Sequence, residues 1–192
     1  MLFQYETDRL LFKILKPSAA KDVLSFYERN KTVFEPVEPV RPEHFYTPDY
    51  QKNVLYCEYQ LALRQTSVRY YIFPKSAPDT IIGTICFRDI TKTIYQCCEI
   101  GYKFDRQYWN KGYAFEALEK SCDILFKEWH LHRITARVMP NNLASIHLLE
   151  KIGFQKEGLE KEALLINGRW EDHFLYALLR SASESAPSQY IP

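Results

Sequence analysis

The sequence predicts an α/β (α+β) fold in which helices flank one mixed, mostly antiparallel sheet. Three strand-like runs between residues 68 and 104 are separated by short breaks, a spacing typical of an antiparallel meander. A helical pattern at 111–128 leads into a fifth run at 133–139, which is parallel to the fourth if the two are neighbours. The dipeptide Asn167-Gly168, between two further runs, predicts a β-hairpin.

The N-terminal third of the chain is predicted to form one strand and two helices, with a long loop between the helices. Residues 8–15 form the strand, and Ser18 is placed to cap the first helix. Four prolines fall between residues 31 and 50, a density that cannot continue a helix or enter a central strand. We therefore predict an extended loop here, after which Thr47 caps the second helix with Pro48 at its first position.

The C-terminal third is predicted to contain a short helix before the hairpin and a polar tail after it. Asn142 or Asn141 is placed to cap this helix, and Gly153 ends it. Because the sequence has no internal repeat and no linker, residues 1–180 are predicted to form a single domain. Residues 181–192, "SASESAPSQYIP", are predicted to be disordered.

The composition excludes several classes of protein. Hydrophobic residues make up 46% of the 192-residue chain, which is enough for one well-filled core. Lysine and arginine (25) nearly balance aspartate and glutamate (24), so we expect neither nucleic acid nor a membrane as a partner. The 5 cysteines follow no metal or disulfide spacing, which predicts reduced thiols, no metal site and a cytoplasmic location.

The stretch "YWNKGYAFEA", residues 108–117, contains one of only 6 glycines and opens a helix. A glycine at a helix mouth lets a ligand approach the backbone, and the first helical N–H groups have no partner within the helix. Gly112 and its neighbouring amides therefore predict a phosphate cradle, with Lys111 as a cation at its rim. The alternative is a glycine that serves only the packing of strand against helix.

Four segments resemble the GCN5-related N-acetyltransferase superfamily in order and spacing: "CEIGYKF", "YWNKGYAFEAL", "HRITARV" and "NNLASIHLLEKIGF". Within it the chain is similar to the ribosomal-protein N-terminal acetyltransferases, over nearly its whole length and most densely at 99–158. The resemblance implies a sheet of six to seven strands whose fourth and fifth strands are parallel and splayed. It also implies an enzyme that uses acetyl-CoA to acetylate a primary amine.

The resemblance assigns acetyl-CoA to particular residues. The pyrophosphate would lie on the backbone amides of 109–114, and the pantetheine arm would follow the backbone of 101–104. Asn142 would bind the pantetheine or its thiol end, and Ser145 would place a hydroxyl near the sulfur. The implied cofactor-binding residues are Gly101, Tyr102, Lys103, Phe104, Trp109, Asn110, Lys111, Gly112, Tyr113, Ala114, Asn142 and Ser145.

The sequence departs from the family's pattern at three positions. Trp109 stands where the superfamily prefers arginine or glutamine, although tryptophan is usual in this branch. Asn110 replaces a common glycine, and asparagine is the next best residue for a positive φ. Many relatives place a tyrosine general acid at the position of Leu149. Here Ser145 or a water would protonate the leaving thiolate, or the thiolate would leave unassisted.

The implied reaction is attack of a neutral amine on the thioester, so the amine must first lose its proton. At pH 7 this costs roughly 1–1.4 kcal/mol for an α-amine and about 4.6 kcal/mol for a lysine. No histidine or paired-carboxylate motif indicates a strong base, which favours an α-amine. Glu99 is the candidate base, because the fourth strand lines the reaction centre in this family; a hydrogen bond to a neighbouring strand is its alternative role. Ser145 is the candidate acid, with a hydroxyl bonded to the helix backbone as its alternative.

The sequence alone is compatible with three functions. The first is acetylation of the N-terminal α-amine of a protein, with ribosomal proteins as the preferred acceptors. The second is acetylation of a small amine such as a polyamine, amino sugar or antibiotic, and the third is CoA binding without catalysis. Glu35, Glu38 and Glu43 in the proline-rich loop would attract a cationic acceptor, or are the ordinary carboxylates of a solvated loop. Both a monomer and a homodimer are compatible with the sequence.

Overall fold

The structure, a computed structural model, describes residues 1–181, and the predicted tail lies outside the described residues from 182 onwards. The strands are β1 (Gln4–Glu6), β2 (Leu10–Lys13), β3 (Val68–Pro74), β4 (Gly83–Thr91), β5 (Cys97–Phe104), β6 (Arg133–Val138), β7 (Gln155–Ile166) and β8 (Arg169–Leu179). The helices are α1 (Ala20–Arg29), α2 (Lys31–Phe34), α3 (Pro48–Leu63), α4 (Tyr113–Asp123) and α5 (Leu143–Ile152). Within residues 1–181 one 8-stranded sheet has the order β1-β2-β3-β4-β5-β6-β8-β7.

The pairing of the strands confirms the predicted fold class. Neighbouring strands are antiparallel except β5 and β6, which run parallel and are connected through α4, as predicted for a helical crossover. The described residues contain 8 strands rather than six to seven. The additional strand is β1, where Tyr5 pairs with Phe12 of β2. Its 3 residues are too few for an alternating pattern to be recognised.

Two predictions for the N-terminal third are wrong. Ser18 caps no helix, because it lies inside a 3-10 turn at Pro17–Ala19, and α1 begins after this turn without a side-chain cap. The segment predicted to be extended contains α2 and two 3-10 turns, at Glu35–Val37 and Glu43–Tyr46. Pro36 lies in the first turn of a 3-10 helix, where its missing N–H costs no hydrogen bond. Proline density therefore limited the length of the helical turns but did not prevent them.

The predicted ends of three other elements are confirmed. Thr47 Oγ1 accepts a backbone N–H from the first turn of α3 at 3.2 Å. Asn142, rather than its neighbour, caps α5, and Gly153 ends that helix with a φ of 107°. Asn167 and Gly168 have φ values of 45° and 79°, the positive pair that a two-residue hairpin turn requires.

Each face of the sheet carries its own hydrophobic core, because successive residues of a strand point to opposite sides. Tyr70 and Ile72 of β3 belong to a cluster that includes residues of α4 and α5. Tyr71 and Phe73, from the same strand, belong to a cluster with residues of α1 and α3. Helices α4 and α5 therefore cover one face of the sheet, and α1 and α3 cover the other.

The cysteines and the acidic side chains form no disulfide or metal site in the described part of the chain. The 5 cysteines are free. Among residues 1–181, no group of three or more His, Cys, Asp or Glu side chains could hold a metal ion. In the same range no helix is both long enough and apolar enough to cross a bilayer.

Candidate active site

Strands β5 and β6 separate near the centre of the sheet, as the resemblance implies. They pair only over the first residues of β5, from Cys97 to Glu99, within the described residues. Beyond Glu99, β5 stays paired with β4 as far as Phe104, and β6 stays paired with β8 as far as Val138. The backbone N–H and C=O groups on the two facing edges are therefore available to an extended ligand.

Two cavities of about 440 Å³ each meet at this gap. The first, which we name the α4-side cavity, reaches Trp109 and Ala114 at the mouth of α4. The second, which we name the arginine-side cavity, is lined by Arg88, Arg137 and His173. Both are lined by Phe34, Val37, Tyr102, Lys103, Asn142 and Ser145. Predicted site residues of β5 and α5 therefore lie where the two cavities join.

The turn before α4 has the geometry of an anion site. Gly112 has a φ of 78°, in the left-handed region that favours glycine, and Asn110 has a φ of 58°. Within 4 Å, a Cβ added at Gly112 would meet only Arg9 Nη2, at 3.3 Å. Backbone conformation rather than tight packing therefore explains this glycine. The first amides of α4 point out of the helix here, an arrangement that suits a phosphate.

A contact that the sequence analysis missed fixes this turn. Glu116, in the first turn of α4, accepts hydrogen bonds from Thr7 Oγ1 and from Arg9, whose Nε lies 2.6 Å away. Arg9 also donates to the carbonyl oxygen of Lys111 at 3.0 Å. Burial would raise the pKa of Glu116, but the hydrogen bonds from Thr7 and Arg9 hold it below its usual value. Arg9 and Thr7 are 107 and 109 residues from Glu116 in the chain, so no local motif indicates these contacts.

The other residues predicted to hold the pyrophosphate lie around the same turn. Trp109 Nε1 donates to the carbonyl oxygen of Phe104 at 2.8 Å, which fixes the indole at the end of β5. Lys111 is exposed, as expected of a cation at the rim. Tyr113 lies against the guanidinium of Arg9, whose Cζ is 4.7 Å from the ring centroid. The fold thus brings the predicted cradle next to the free edge of β5.

A pair of hydroxyl groups lies where the two cavities join. Tyr102 Oη and Ser145 Oγ are 2.6 Å apart, and burial raises the pKa of Tyr102 to about 12, which keeps this phenol protonated at neutral pH. The backbone N–H of Ser145 donates to Asn142 Oδ1 at 3.1 Å, so the carbonyl oxygen of Asn142 is used by the helix cap. Leu149 is buried and lines the arginine-side cavity. A phenol therefore reaches Ser145 from β5 rather than from the position of Leu149.

Glu99, the candidate base, is 8% exposed and is held by two guanidinium groups. One carboxylate oxygen accepts a hydrogen bond from Arg88 and the other accepts one from Arg137. Arg137 also bonds Glu160, with Nε 2.7 Å from Oε2. Arg88 lies across Gly101, where an added Cβ would come within 3.2 Å of Nη2. Protonation of Glu99 would neutralise the carboxylate that both guanidinium groups contact.

The proline-rich segment and the tip of the β7–β8 hairpin meet beside the arginine-side cavity. The carbonyl oxygen of Glu38 accepts the backbone N–H of Asn167 at 3.0 Å. The carboxylate of Glu38 pairs with Arg41 at 2.7 Å and with Lys103. Burial would raise the pKa of Glu38, but Lys103 and Arg41 hold it below its usual value. Glu38 therefore ties the segment to β5, whereas Glu43 is exposed.

His173, on β8, is a residue of this cavity that the sequence analysis did not single out. It is 4% exposed, and its Nδ1 lies 3.0 Å from the carbonyl oxygen of Glu171. Leu175, two residues further along β8, is opposite Arg137, so His173 is on the same face of the sheet as Arg137. Strand alternation is the signal that could have indicated this position.

Comparisons with known proteins show which family the chain belongs to. A family model described as "Acetyltransferase (GNAT) domain" matches residues 9–155. The [ribosomal protein uS5]-alanine N-acetyltransferase of Escherichia coli (strain K12) is 34% identical over 174 residues, which cover 90% of this chain and 88% of that protein. "Probable N-acetyltransferase YjcK" of Bacillus subtilis (strain 168) is 35% identical over 170 residues, which cover 88% of this chain and 93% of that protein.

A solved structure agrees as well. The ribosomal-protein-S5-alanine acetyltransferase of Vibrio fischeri has a TM-score of 0.87 at 32% identity and covers 93% of this chain and 97% of its own. The N-acetyltransferase names of the relatives agree with a cavity pair that can bring two substrates together. The chain therefore belongs to the GNAT acetyltransferase family, as an N-acetyltransferase whose acetyl donor is acetyl-CoA.

Proposed function

We propose that the chain acetylates the N-terminal α-amine of a protein, with a ribosomal protein as the candidate acceptor. The observation that carries the proposal is the gap between β5 and β6, where a cavity on either side reaches the same hydroxyl pair. A thioester that enters from one side can there meet an amine that enters from the other. The E. coli and Vibrio fischeri relatives are named as acetyltransferases that act on an alanine of a ribosomal protein, which supports this class of acceptor.

The α4-side cavity would hold acetyl-CoA. The backbone amides of 109–114 would bind the pyrophosphate, with Lys111 as an additional cation. The open edge of β5, 101–104, would hydrogen-bond the pantetheine arm, and Asn142 and Ser145 would lie at its thiol end. The φ of Gly112 and the unpaired edge of β5 support this fit, because both leave backbone donors accessible to the ligand.

Ser145 is proposed to donate a proton to the departing thiolate. Its hydroxyl contacts Tyr102 Oη at 2.6 Å, and the raised pKa of Tyr102, caused by burial, keeps that phenol available as a donor. Ser145 would touch the sulfur, and Tyr102 would act through Ser145 as a positioning residue. The pair would supply the general acid that many relatives have at the position of Leu149.

Glu99 is proposed to position Arg88 and Arg137 on the floor of the arginine-side cavity. Both of its oxygens are already bonded to these guanidinium groups. Acting as the base would neutralise this carboxylate and so weaken both charge-assisted hydrogen bonds, which are among the stronger ones in proteins. The geometry therefore favours the positioning role over the predicted role as a base.

The guanidinium donors that line the arginine-side cavity suit a peptide acceptor. Its lining includes four cationic side chains and one carboxylate: Arg69, Arg88, Lys103, Arg137 and Glu38. Each of these cations is paired with a carboxylate: Arg69 with Glu58, Arg88 and Arg137 with Glu99, and Lys103 with Glu38. The lining therefore holds the guanidinium groups in fixed positions. A single N-terminal amine is followed by peptide carbonyl groups, which can accept hydrogen bonds from guanidinium groups. An α-amine also loses its proton at neutral pH more easily than a lysine does.

The test is an acetylation assay with purified protein and acetyl-CoA. The acceptor panel comprises N-terminal peptides of ribosomal proteins, the same peptides with a blocked N-terminus and an internal lysine, and spermidine. We expect release of CoA thiol, and one added acetyl group by mass spectrometry, only with the free N-terminal peptides. Turnover of spermidine with inert peptides would replace this function by small-amine acetylation. Thermal stabilisation by CoA without turnover of any amine would favour a binding module.

A further inference from the structure

We propose that His173 is a catalytic base, which takes the proton from the ammonium group of the acceptor. The inference rests on the proposed acetyl transfer at this site and deepens it by naming the proton acceptor. The family model matches residues 9–155 and so ends before His173. The geometry and surroundings of His173 carry the argument.

The hydrogen bond at Nδ1 determines which ring nitrogen can act. The carbonyl oxygen of Glu171 can only accept a hydrogen bond, so Nδ1, 3.0 Å away, carries the proton. The neutral ring then keeps its lone pair on Nε2. The residue is 4% exposed and lines a cavity that Gly101 and Ser145 also line. A fixed ring with one unprotonated nitrogen therefore borders the space that the acceptor would enter.

Charged groups from three strands surround His173. Glu160 of β7 is opposite His173 in the strand register, and Glu160 is paired with Arg137 of β6. Glu171 and Asp172 precede His173 in β8. The other charged residues of the cavity lining are Glu38, Arg69, Arg88 and Lys103. Glu160 is close enough to His173 for the two to interact electrostatically, and the cations of the lining are paired with carboxylates, so the charges around His173 are largely balanced.

The other candidate bases at this cavity are already engaged by cations. Glu38 is paired with Lys103 and Arg41. Glu99 is held by two guanidinium groups. Among the carboxylate and imidazole groups at the cavity in residues 1–181, His173 is the one that can accept a proton without breaking an ion pair.

The proposed sequence of bond changes is balanced. An N–H bond of the ammonium group breaks, and its proton forms an N–H bond at His173 Nε2. The freed lone pair bonds to the thioester carbonyl carbon, and the C–S bond breaks with its electron pair on sulfur. Ser145 gives a proton to this sulfur and regains one from the amide nitrogen as the amide forms. His173 then releases its proton to solvent, so one proton is released per turnover.

His173→Asn is the first test, because the Asn amide can still donate to the carbonyl of Glu171 but has no basic nitrogen. We expect kcat with an N-terminal peptide to fall about 100-fold, the range of general-base catalysis, while KM for acetyl-CoA stays unchanged. The kcat/KM of the wild type should fall on the acid side of its pH profile, and this limb should be absent in the variant. His147→Asn, on the exposed face of α5, is the matched control and should behave as wild type.

Chemical rescue separates a base from a structural residue. Added imidazole should restore part of the activity of His173→Ala and leave the wild type and His147→Asn unchanged. Thermal stabilisation by CoA identifies folded variants, and His173→Gln serves if His173→Asn fails this criterion. A folded variant that keeps kcat within about threefold of wild type, or loses activity equally at every pH without rescue, would overturn the proposal.

Parallel assays of the wild type distinguish a failure of this inference from a failure of the proposed function. If the wild type acetylates only spermidine, the proposed acceptor class is wrong, and the same variants judge His173 with spermidine. If the wild type acetylates no amine at all, both proposals are overturned.

Discussion

The two cavities share a wall at Tyr102 and Ser145, but they are built differently. The α4-side cavity offers mainly backbone: the turn at Gly112, the first amides of α4 and the open edge of β5. The arginine-side cavity is lined by charged or titratable side chains from four strands, namely Arg69, Arg88, Arg137 and His173. The α4-side cavity, the backbone half of the site, thus depends on backbone conformation. The arginine-side cavity, the side-chain half, depends on a network of ion pairs and hydrogen bonds between side chains.

This difference predicts how each half responds to mutation. A site built from backbone amides tolerates changes of side chain as long as its torsion angles are kept. Its ability to bind a ligand therefore depends on the φ of Gly112. When one charged side chain of an ion network is removed, the charge of its partner is left unpaired, and this adds to the cost of the lost contact. Changes at Gly112 should therefore act on the binding of acetyl-CoA, and changes in the network should act on stability and on the acceptor.

Gly112→Ala should have the largest effect in this comparison. A non-glycine residue at a φ of 78° costs about 1–3 kcal/mol, and the turn can relieve this strain only by displacing its amides. We expect the Kd of acetyl-CoA to rise about 10- to 100-fold, measured by calorimetry. Urea unfolding should show a loss of stability of about 1–3 kcal/mol.

Gly168→Ala is the matched control, because Gly168 has a φ of 79° in the hairpin turn. It should lose similar stability and leave the Kd of acetyl-CoA unchanged. An equal rise of the Kd in both variants would show that backbone strain in general, rather than the cradle at α4, affects binding.

The backbone half could be predicted from the sequence because its signals are local. The positive φ values of Gly112 and Asn110 follow from residue type and from the position before a helix. The cap at Asn142 is decided by the N–H of Ser145, three residues away. Thr47 is the same kind of signal at α3. Each of these features needs only a few consecutive residues to be recognised.

The side-chain half could not be predicted because its partners are far apart in the chain. Glu99 and Arg137 are separated by 38 residues, and Glu38 and Lys103 are separated by 65. A single histidine in "WEDHF" carries no motif, and its role depends on which strand lies beside β8. The helical turns of the proline-rich segment were not predicted for a different reason. Proline is compatible with the first turn of a short helix, so proline density alone does not exclude such turns.

Glu99→Gln should have the next largest effect, a loss of about 1–2 kcal/mol in the free energy of unfolding. The amide oxygen can serve one guanidinium, but the amide NH₂ would face the other as a second donor. Arg137 keeps its pairing with Glu160, which limits the loss. Urea unfolding at neutral pH measures this difference.

Glu160→Gln is the control for this prediction, because Glu160 shares Arg137 but is more exposed than Glu99. It should cost less than about 1 kcal/mol. The kinetics of Glu99→Gln also separate two roles. A positioning residue lowers kcat and leaves the acid limb of kcat/KM in place, whereas loss of that limb would restore Glu99 as the base.

Tyr102→Phe tests the wall that the two cavities share. Burial raises the pKa of Tyr102 from 10.0 to about 12, so the folded state holds the phenol proton more tightly than the unfolded state. This contribution to stability is complete below pH 10 and is lost as the pH rises towards 12. Between pH 9 and pH 11 the wild type should lose about 1 kcal/mol more than the variant in urea unfolding. Tyr56→Phe, at an exposed tyrosine, should show no such difference.

The smallest effect is expected at Glu116, where a side chain supports the backbone half. Its partner Arg9 is 49% exposed, so Glu116→Gln should cost about 0.5–1 kcal/mol at pH 7. Burial opposes the shift, but Thr7 and Arg9 hold the pKa of Glu116 below its usual value, so this stability is lost as the pH falls through the lowered pKa. Wild type and variant should therefore converge in urea unfolding once the pH is below this lowered pKa, and the exposed Glu119→Gln should match wild type throughout. A rise in the Kd of acetyl-CoA in Glu116→Gln alone would mean that the cradle depends on this side-chain contact, and that the backbone half is less independent than its local signals indicate.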